Sequence, residues 1–197
     1  MEAHATCPAQ GQNPQGVPDL PQGQRGGACG VAENLLLQDF QPPAPNRCCA
    51  GDITYIRTTD GWRYLAVLID LFSRRVFGWK LERSMGAPLV IEALNRALGH
   101  PPRVEPEQLL IHTDQGSQYR ATDYRQLLES HKITCSMSAK ECCWENAVVG
   151  SFFSTLKLEL DLDGDREVLI SHQQLQRELA FCIEGYYNRE RRHSTIG

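Results

Sequence analysis

Residues 48–81 read CCAGDITYIRTTDGWRYLAVLIDLFSRRVFGWKL, and this stretch decides the fold. Asp52–Thr58 and Trp62–Ile69 are rich in β-branched and aromatic residues, and the turn signal Asp60-Gly61 separates them, so the pattern predicts a β-hairpin. After a further turn, Arg75–Leu81 has the composition of a third strand. The three strands are predicted to form an antiparallel meander.

Downstream of the meander, helix and strand patterns alternate. Apolar residues recur at helical spacing from Leu89 to Leu98, and Gly99 with the prolines after it ends that helix. The sequence pattern then predicts a strand at 108–112, a helix at 122–130, a strand at 133–136 and a helix at 146–160. A last helix is predicted from apolar residues that recur every four positions, namely Leu175, Leu179, Ile183 and Tyr187. The expected fold class is α/β, with a mixed five-stranded sheet flanked by helices. Ribonuclease H-like folds have this order of elements, although topology alone leaves other α/β folds open.

Upstream of the meander the composition changes. Residues 8–30 are dominated by Pro, Gly and Gln, and ordering them would cost entropy with little apolar burial in return. Val31–Leu37 has the pattern of a short helix, and prolines at 42, 43 and 45 favour an extended approach to the first strand. We therefore expect a disordered or poorly structured arm over residues 1–47 and a folded domain over residues 48–197 that ends in a basic helix.

The amino-acid composition limits the classes of protein to which this chain can belong. With 197 residues, 41% of them hydrophobic, the chain can bury one substantial core. It has no apolar run of about 18 residues and no signal-peptide pattern at its start, so we expect a cytoplasmic protein without a membrane partner. The eight cysteines are expected to be free thiols, because a disulfide framework is typical of short secreted chains. A zinc site is not expected either, because the adjacent pairs Cys48-Cys49 and Cys142-Cys143 lack C-x-x-C spacing.

Charge gives two opposing indications. The net charge of −4 argues mildly against a nucleic-acid partner, because phosphate contacts need clustered Lys and Arg. Locally, however, Tyr186–His193 places cations beside aromatic rings, as a nucleic-acid-binding segment would. A solvated helix end accounts equally well for this composition.

Two aspartates are candidates for chemistry. Asp52 lies at the start of the first predicted strand, and Asp114 directly follows the apolar strand that ends near His112. Side chains at the ends of neighbouring strands converge on a crevice in an open sheet, so two carboxylates there could share a hard cation such as Mg²⁺. Either residue alone is also compatible with an ordinary strand-end or turn aspartate.

Sequence around these aspartates carries a family resemblance. The segments concerned are Ala50–Ile56, Leu68–Arg75, His112–Tyr119, Ser136–Ser138, Trp144–Ala147, Ser151–Lys157 and Tyr186–Ser194. Their order and spacing closely resemble the integrase-like catalytic core of bacterial insertion-sequence transposases, which are related to retroviral integrases. The resemblance runs from about Val31 to Gly197.

The resemblance implies a ribonuclease H-like fold and a catalytic triad of two aspartates and one glutamate. By motif position the aspartates are Asp52 and Asp114, which would bind two Mg²⁺ or Mn²⁺ ions. The implied reaction is the cutting and joining of DNA, with transposon ends and target DNA as partners and a possible homo-oligomer. We expect DNA contacts from cationic residues in the matching segments, namely Lys157, Arg189, Arg191, Arg192 and His193.

The third member of the triad is missing. The family pattern places the glutamate on the helix before Ser151–Lys157, at position 150, which is glycine. A helical Glu145 would point about 140° away from position 150, and Glu141 is more remote, so neither is a good substitute. Asp70 is expected to make structural hydrogen bonds in a turn. Three further positions depart from the family pattern, which usually has tryptophan where Cys49 stands, arginine at Gln115 and aspartate at Glu145. The N-terminal arm also does not resemble the helix-turn-helix region of such transposases.

These observations favour a degenerate, DDE-type transposase core that lacks the third acidic residue, a fragment of a decayed element with weak activity or none. A second hypothesis is a non-catalytic DNA-binding or transposase-interacting remnant that uses the basic C-terminal helix. A third hypothesis is a metal-dependent ribonuclease on the same fold. It has less support, because no feature of the sequence indicates recognition of the 2′-hydroxyl group of RNA. Metal-dependent DNA cleavage separates the first hypothesis from the second.

Overall fold

A mixed sheet forms the centre of the computed structural model, which describes residues 32–36, 42, 44–99, 108–138, 147–162 and 170–189. The sheet has five strands in the order β3-β2-β1-β4-β5. The strands are β1 Cys48–Thr58, β2 Gly61–Asp70, β3 Val76–Glu82, β4 Leu110–Thr113 and β5 Thr134–Met137. The first three pair antiparallel, whereas β4 runs parallel to β1 and to β5. The predicted fold class is confirmed.

The β1–β2 hairpin is the longest ladder of the sheet, from Cys49 opposite Asp70 to Thr58 opposite Gly61. Gly61 has a φ of 96°, which favours glycine, and the Thr58 hydroxyl donates to the Gly61 carbonyl at 2.8 Å. The turn signal at Asp60-Gly61 thus formed the predicted turn. The same turn sets which β1 residues face each side of the sheet.

Helices cover both faces of the sheet and create two hydrophobic clusters. The helices are α1 Ala87–Gly99, α2 Thr122–Ser130, α3 Ala147–Glu159 and α4 His172–Ala180, and α4 continues into a π-helical segment, Phe181–Tyr187. In β2, Leu65 and Val67 pack in the cluster of α3 and α4, while Ala66 and Leu68 pack in the cluster of α1 and α2. This alternation follows from the two-residue period of a strand.

Two sequence expectations were wrong in detail. The first strand begins at Cys48 rather than Asp52, because Cys48–Ala50 pairs with β4 as well as lying beside β2. The helix expected at Val31–Leu37 is absent from the described residues 32–36. Instead the Glu33 carbonyl accepts from Met137 N at 3.3 Å, and Leu35 N donates to Ser136 Oγ at 2.9 Å, so this segment lies along β5.

The predicted last helix is present, and the four residues that recur along it are buried, namely Leu175, Leu179, Ile183 and Tyr187. Its C-terminal half has π-helical hydrogen bonding, as in the bond of 3.0 Å from Asn188 N to the Ile183 carbonyl. No helix within the described ranges is long and apolar enough to cross a membrane. The four cysteines that fall in those ranges, Cys48, Cys49, Cys135 and Cys182, form no disulfide bond.

Candidate active site

Parallel pairing of β1 with β4 brings Asp52 and Asp114 to the same level of the sheet. The register sets Cys49 opposite Ile111 and Ala50 opposite His112, and two further steps along both strands reach the aspartates. Ala50 and Leu110, which have the same parity as the aspartates along their strands, both pack in the cluster of α3 and α4. The register therefore directs Asp52 and Asp114 toward the α3 side, at the point where β4 ends.

Asp52 has the perturbed electrostatics of a half-buried acid near another acid. Burial raises its pKa to about 6, an effect that the bond of 2.7 Å from Ile53 N partly offsets and that the charge of Asp114 reinforces. Asp114 thus lies close enough to Asp52 for its charge to contribute to this shift. A cation placed between them would relieve both the desolvation and the repulsion.

Asp114 begins a tight turn that fixes its carboxylate. Its Oδ1 accepts a hydrogen bond of 2.9 Å from Gly116 N. A Cβ atom at position 116 would lie 2.9 Å from that Oδ1 and 2.5 Å from Gln118 Nε2, so a larger residue there would displace the ends of both side chains. Gln115 anchors the other side of the turn by donating from Nε2 to the Ser138 carbonyl at 2.9 Å.

Tyr119 is a site residue to which sequence reasoning gave no role. Its side chain is buried, and burial, followed by the negative charges of neighbouring groups that include Asp52 and Asp114, raises its pKa well above the ordinary value. The ring packs edge-on against Tyr124 with a centroid separation of 5.6 Å. The Tyr119 phenol therefore stays neutral in the neighbourhood of the two aspartates. Its position within His112–Tyr119, among the most distinctive matching segments, was the available signal.

His112 lies two residues before Asp114 in the sequence and is fully buried. Its Nδ1 is 2.9 Å from Ser136 Oγ, which also accepts from Leu35 N. This contact ties β4 to β5 and to the segment at 32–36. The histidine therefore supports the strand that carries Asp114.

Gly150 lies on α3, the helix that covers the face toward which Asp52 is directed. Its neighbours Val149 and Phe152 pack in the same cluster as Ala50 and Ile56 of β1. Gly150 itself is exposed, and a Cβ atom built on it meets no described atom within 4 Å. Within the part of the chain that the structure describes, no group of three His, Cys, Asp or Glu residues is placed to hold a metal ion. Glu141 and Glu145 lie outside that part.

Of the cationic residues expected to contact DNA, the structure describes two. Lys157 lies on α3, seven residues or about two turns from Gly150 and so on the same side of the helix. Its Nζ is 5.6 Å from the centroid of the Tyr55 ring. Arg189 is exposed in the turn after the π-helical segment rather than on a helix. Arg191, Arg192 and His193 lie outside the described residues.

Asp70, the remaining acid of the matching segments, has a structural role as expected. It is fully buried and accepts hydrogen bonds from Asn46 N at 3.1 Å, Ser73 N at 2.8 Å and Ser73 Oγ at 2.6 Å. These bonds close the turn between β2 and β3 and hold residue 46 beside it. Asp70 is thus committed to the turn rather than to the candidate site.

Comparison with known protein families shows to which family this sheet with its two candidate aspartates belongs. The integrase core domain family matches residues 42–143, and a second integrase core domain family matches residues 131–197. The chain belongs to the integrase core domain family. The family matches include both candidate aspartates and position 150.

Curated relatives of this integrase core are transposases. Transposase InsF for insertion sequence IS3A of Escherichia coli (strain K12) is 48% identical over 167 residues, which cover 85% of this chain and 56% of the relative. The transposase for insertion sequence element IS904 of Lactococcus lactis subsp. lactis (strain IL1403) is 41% identical over 174 residues, covering 87% of this chain and 66% of the relative. The chain thus spans about half the length of the first relative.

Solved structures extend the likeness to retroviral proteins at the level of the fold. The HTLV-2 integrase catalytic core domain in complex with magnesium, in its dimeric form, superposes with a TM-score of 0.55 at 18% identity, covering 78% of this chain and 93% of that one. A simian T-cell lymphotropic virus intasome chain gives a TM-score of 0.57 at 22% identity over 86% of this chain and 54% of that one. The predicted ribonuclease H-like class and the integrase-like core are both confirmed.

Proposed function

We propose that this chain is the catalytic core of an insertion-sequence transposase whose inherited reaction is divalent-metal-dependent DNA cleavage and strand transfer, and that Gly150 impairs the reaction. The observation that carries the proposal is the parallel β1–β4 register, which pairs Ala50 with His112, each two residues before one of the candidate aspartates, Asp52 and Asp114. The similarity to transposases supports DNA as the substrate. Transposon ends and target DNA are the proposed partners, with a homo-oligomer as the acting form in the cytoplasm.

Asp52 and Asp114 are suited to part of a Mg²⁺ or Mn²⁺ site. Hard cations prefer carboxylate oxygens, and the raised pKa of Asp52 indicates a carboxylate whose charge lacks compensation. A bound pair of such ions would help to activate a water or 3′-hydroxyl and to stabilise the leaving oxygen of a phosphodiester. The two carboxylates would hold the ions, and the charges of both contribute to the raised pKa of buried Tyr119.

Gly150 removes the third ligand that the family pattern expects. Glycine has no side-chain oxygen, and it weakens a helix interior by about 0.5–1 kcal/mol relative to alanine. The space at Gly150 is open, so a longer side chain could be accommodated without displacing the described neighbours. We infer that the site binds metal weakly and turns over slowly or not at all.

The test compares three proteins in Mg²⁺- and Mn²⁺-dependent nicking and strand transfer on matched transposon-end DNA. They are the chain itself, Gly150→Glu and the double variant Gly150→Glu/Asp52→Asn. Activity that appears in Gly150→Glu and disappears in the double variant supports the proposal. Equal activity in the unaltered chain would show that another group supplies the third ligand.

A second candidate function is a non-catalytic remnant that binds DNA or an intact transposase. The glycine at position 150 and the lack of a three-ligand cluster among the described residues favour it. It predicts that the chain retains transposon-end DNA, or lowers the activity of an intact transposase mixed with it, while Gly150→Glu still fails to cleave.

The assignment of residues 1–47 as an arm and 48–197 as the core remains part of the proposal.

A further inference from the structure

The turn end of the β1–β2 hairpin carries an exposed aromatic surface that the proposed reaction does not use. Tyr55 and Trp62 are 59% and 47% exposed, which is unusual for large rings on a sheet. Their ring centroids are 5.4 Å apart and their planes are nearly perpendicular, at 79°. Such a pair stabilises a hairpin, but the exposed fractions leave much of each ring accessible.

A cation lies against each of these rings. The Arg57 guanidinium carbon is 5.8 Å from the centroid of Trp62, and Lys157 Nζ is 5.6 Å from the centroid of Tyr55. Arg57 comes from the same strand as Tyr55, whereas Lys157 reaches the ring from α3. Aromatic faces flanked by cations are the arrangement with which proteins bind single-stranded nucleic acid, because rings stack on bases while cations attract the phosphates.

The surface also lies close to the candidate active site. Tyr55 follows Asp52 by three residues on β1, or about 10 Å at ~3.3 Å per residue. Because side chains alternate along a strand, those of Asp52 and Tyr55 lie on opposite faces of the sheet. However, β4 pairs with β1 only at Cys48–Ala50. Beyond that pairing, Lys157 reaches the Tyr55 ring from the α3 side of the sheet. About three nucleotide steps, at ~3.4 Å each, span the same distance.

We propose that Tyr55, Arg57, Trp62 and Lys157 form a base-stacking platform that holds single-stranded DNA about three nucleotides from the reacting phosphate. The inference rests on the proposed function, since it takes DNA as the substrate. It adds that the substrate is locally unwound near the cleavage point. Tyr55 and Trp62 stack on bases, and the two cations contact the adjoining backbone.

The test measures equilibrium binding of the whole chain, by fluorescence anisotropy, to a labelled oligothymidylate and to an abasic strand of equal length and charge. Two double variants are compared: Tyr55→Thr/Trp62→Thr, which keeps β-propensity but removes both rings, and Tyr55→Phe/Trp62→Phe, which keeps the rings. Met85→Thr is the control for losing an exposed apolar side chain, because Met85 is 52% exposed elsewhere on the surface.

We expect the Thr double variant to lose roughly ten- to a hundredfold in affinity for oligothymidylate, the effect typical of losing one or two stacked bases. The Phe double variant and Met85→Thr should stay within about threefold of the unaltered chain, and affinity for the abasic strand should change little in every variant. The proposal is overturned if the Thr variant binds oligothymidylate normally or loses equally on the abasic strand. Loss of self-association with unchanged DNA affinity would instead assign the surface to a protein contact.

Failure of this platform and failure of the proposed function give different results, because the binding measurement needs neither metal nor cleavage. Cleavage by Gly150→Glu with normal oligothymidylate binding by the Thr double variant removes the platform alone. Base-dependent binding without any cleavage by Gly150→Glu leaves the platform and removes the proposed reaction.

Discussion

The side-chain amide of Asn188 pairs with the backbone of Val76 as a neighbouring strand would. Asn188 Oδ1 accepts from Val76 N at 2.9 Å, and Asn188 Nδ2 donates to the Val76 carbonyl at 3.0 Å. Val76 begins β3, which is the edge strand of the sheet. The contact therefore joins the end of the last helix to the sheet across 112 residues of sequence.

Replacing Asn188 should destabilise the fold without touching the candidate site. Asn188→Ala leaves both backbone groups of buried Val76 without their partners, and we expect the free energy of unfolding to fall by about 1–3 kcal/mol. The measurement is urea unfolding, with exposed Arg189→Ala as the control for a truncation at the next position. Equal unfolding midpoints for the two variants would show that solvent replaces the amide.

Gly78 sets the distance between α1 and β3. A Cβ atom there would overlap the Ala93 carbonyl and lie 2.8 Å from Ala97 N, both of which belong to the helix backbone and cannot move alone. Gly78→Ala should therefore lower stability by about 1–3 kcal/mol or more, as overpacking does. Gly99→Ala is the matched control, because a Cβ atom at the last residue of α1 meets nothing within 4 Å. Thermal unfolding of both variants tests this, and the idea fails if Gly78→Ala melts with the unaltered chain.

Arg63, His172 and Asp60 connect the hairpin turn to the start of α4. Buried Arg63 donates from Nε to His172 Nδ1 at 2.9 Å, and His172 N donates to Asp60 Oδ2 at 3.0 Å. Partial burial, with the charges of Arg63 and Arg83, lowers the pKa of His172 below its usual value of 6.5. A protonated Nδ1 could not accept from Arg63, so the folded protein favours the neutral imidazole.

Because the folded pKa of His172 is the lower one, its contribution to stability is complete above pH 6.5 and is lost as the pH falls from there through the folded pKa. We expect His172→Gln, whose side-chain oxygen can accept from Arg63, to lose less stability between pH 7.5 and about 5.5 than the unaltered chain. Urea midpoints across that range measure the difference. Parallel pH profiles would contradict the role given to His172.

Asp52 should affect stability in the opposite direction. Its folded pKa of about 6 lies above the ordinary 3.8, so its contribution is favourable below pH 3.8 and is lost as the pH rises through 6. Asp52→Asn should therefore raise the free energy of unfolding of the metal-free protein at pH 8 by about 1–3 kcal/mol, a figure that allows for its partial exposure. The same variant at pH 3.5 is the internal control and should show little gain. A variant no more stable at pH 8 would mean that solvent already compensates the charge.

The meander was predictable because its strands are rich in β-branched and aromatic residues and because Asp60-Gly61 has a specific turn chemistry. The start of β1 was not, since Cys48–Ala50 owes its strand conformation to pairing with β4, a partner sixty residues downstream that local composition cannot reveal. Asp114 was predicted from its place after a strand and from family resemblance, whereas Asp52 lies within β1 rather than at its start, so its prediction depends on the resemblance alone. The contacts of Asn188 with Val76 and of Arg63 with His172 are long-range and required the structure.

Gly150→Glu offers a test of the candidate metal site that does not depend on turnover. If Asp52 and Asp114 form two-thirds of a ligand set, adding a third carboxylate in the open space at position 150 should strengthen Mg²⁺ binding and so raise the melting temperature in proportion to the logarithm of Mg²⁺ concentration. The unaltered chain should respond weakly, and Gly150→Gln, of similar size but uncharged, should respond no more than the unaltered chain. In the metal-free protein Gly150→Glu should be less stable than Gly150→Gln, because it adds a third negative charge beside one whose pKa is already raised. A Gly150→Glu protein that is as stable as Gly150→Gln without Mg²⁺ and gains nothing with it would place position 150 too far from the two aspartates to complete their site.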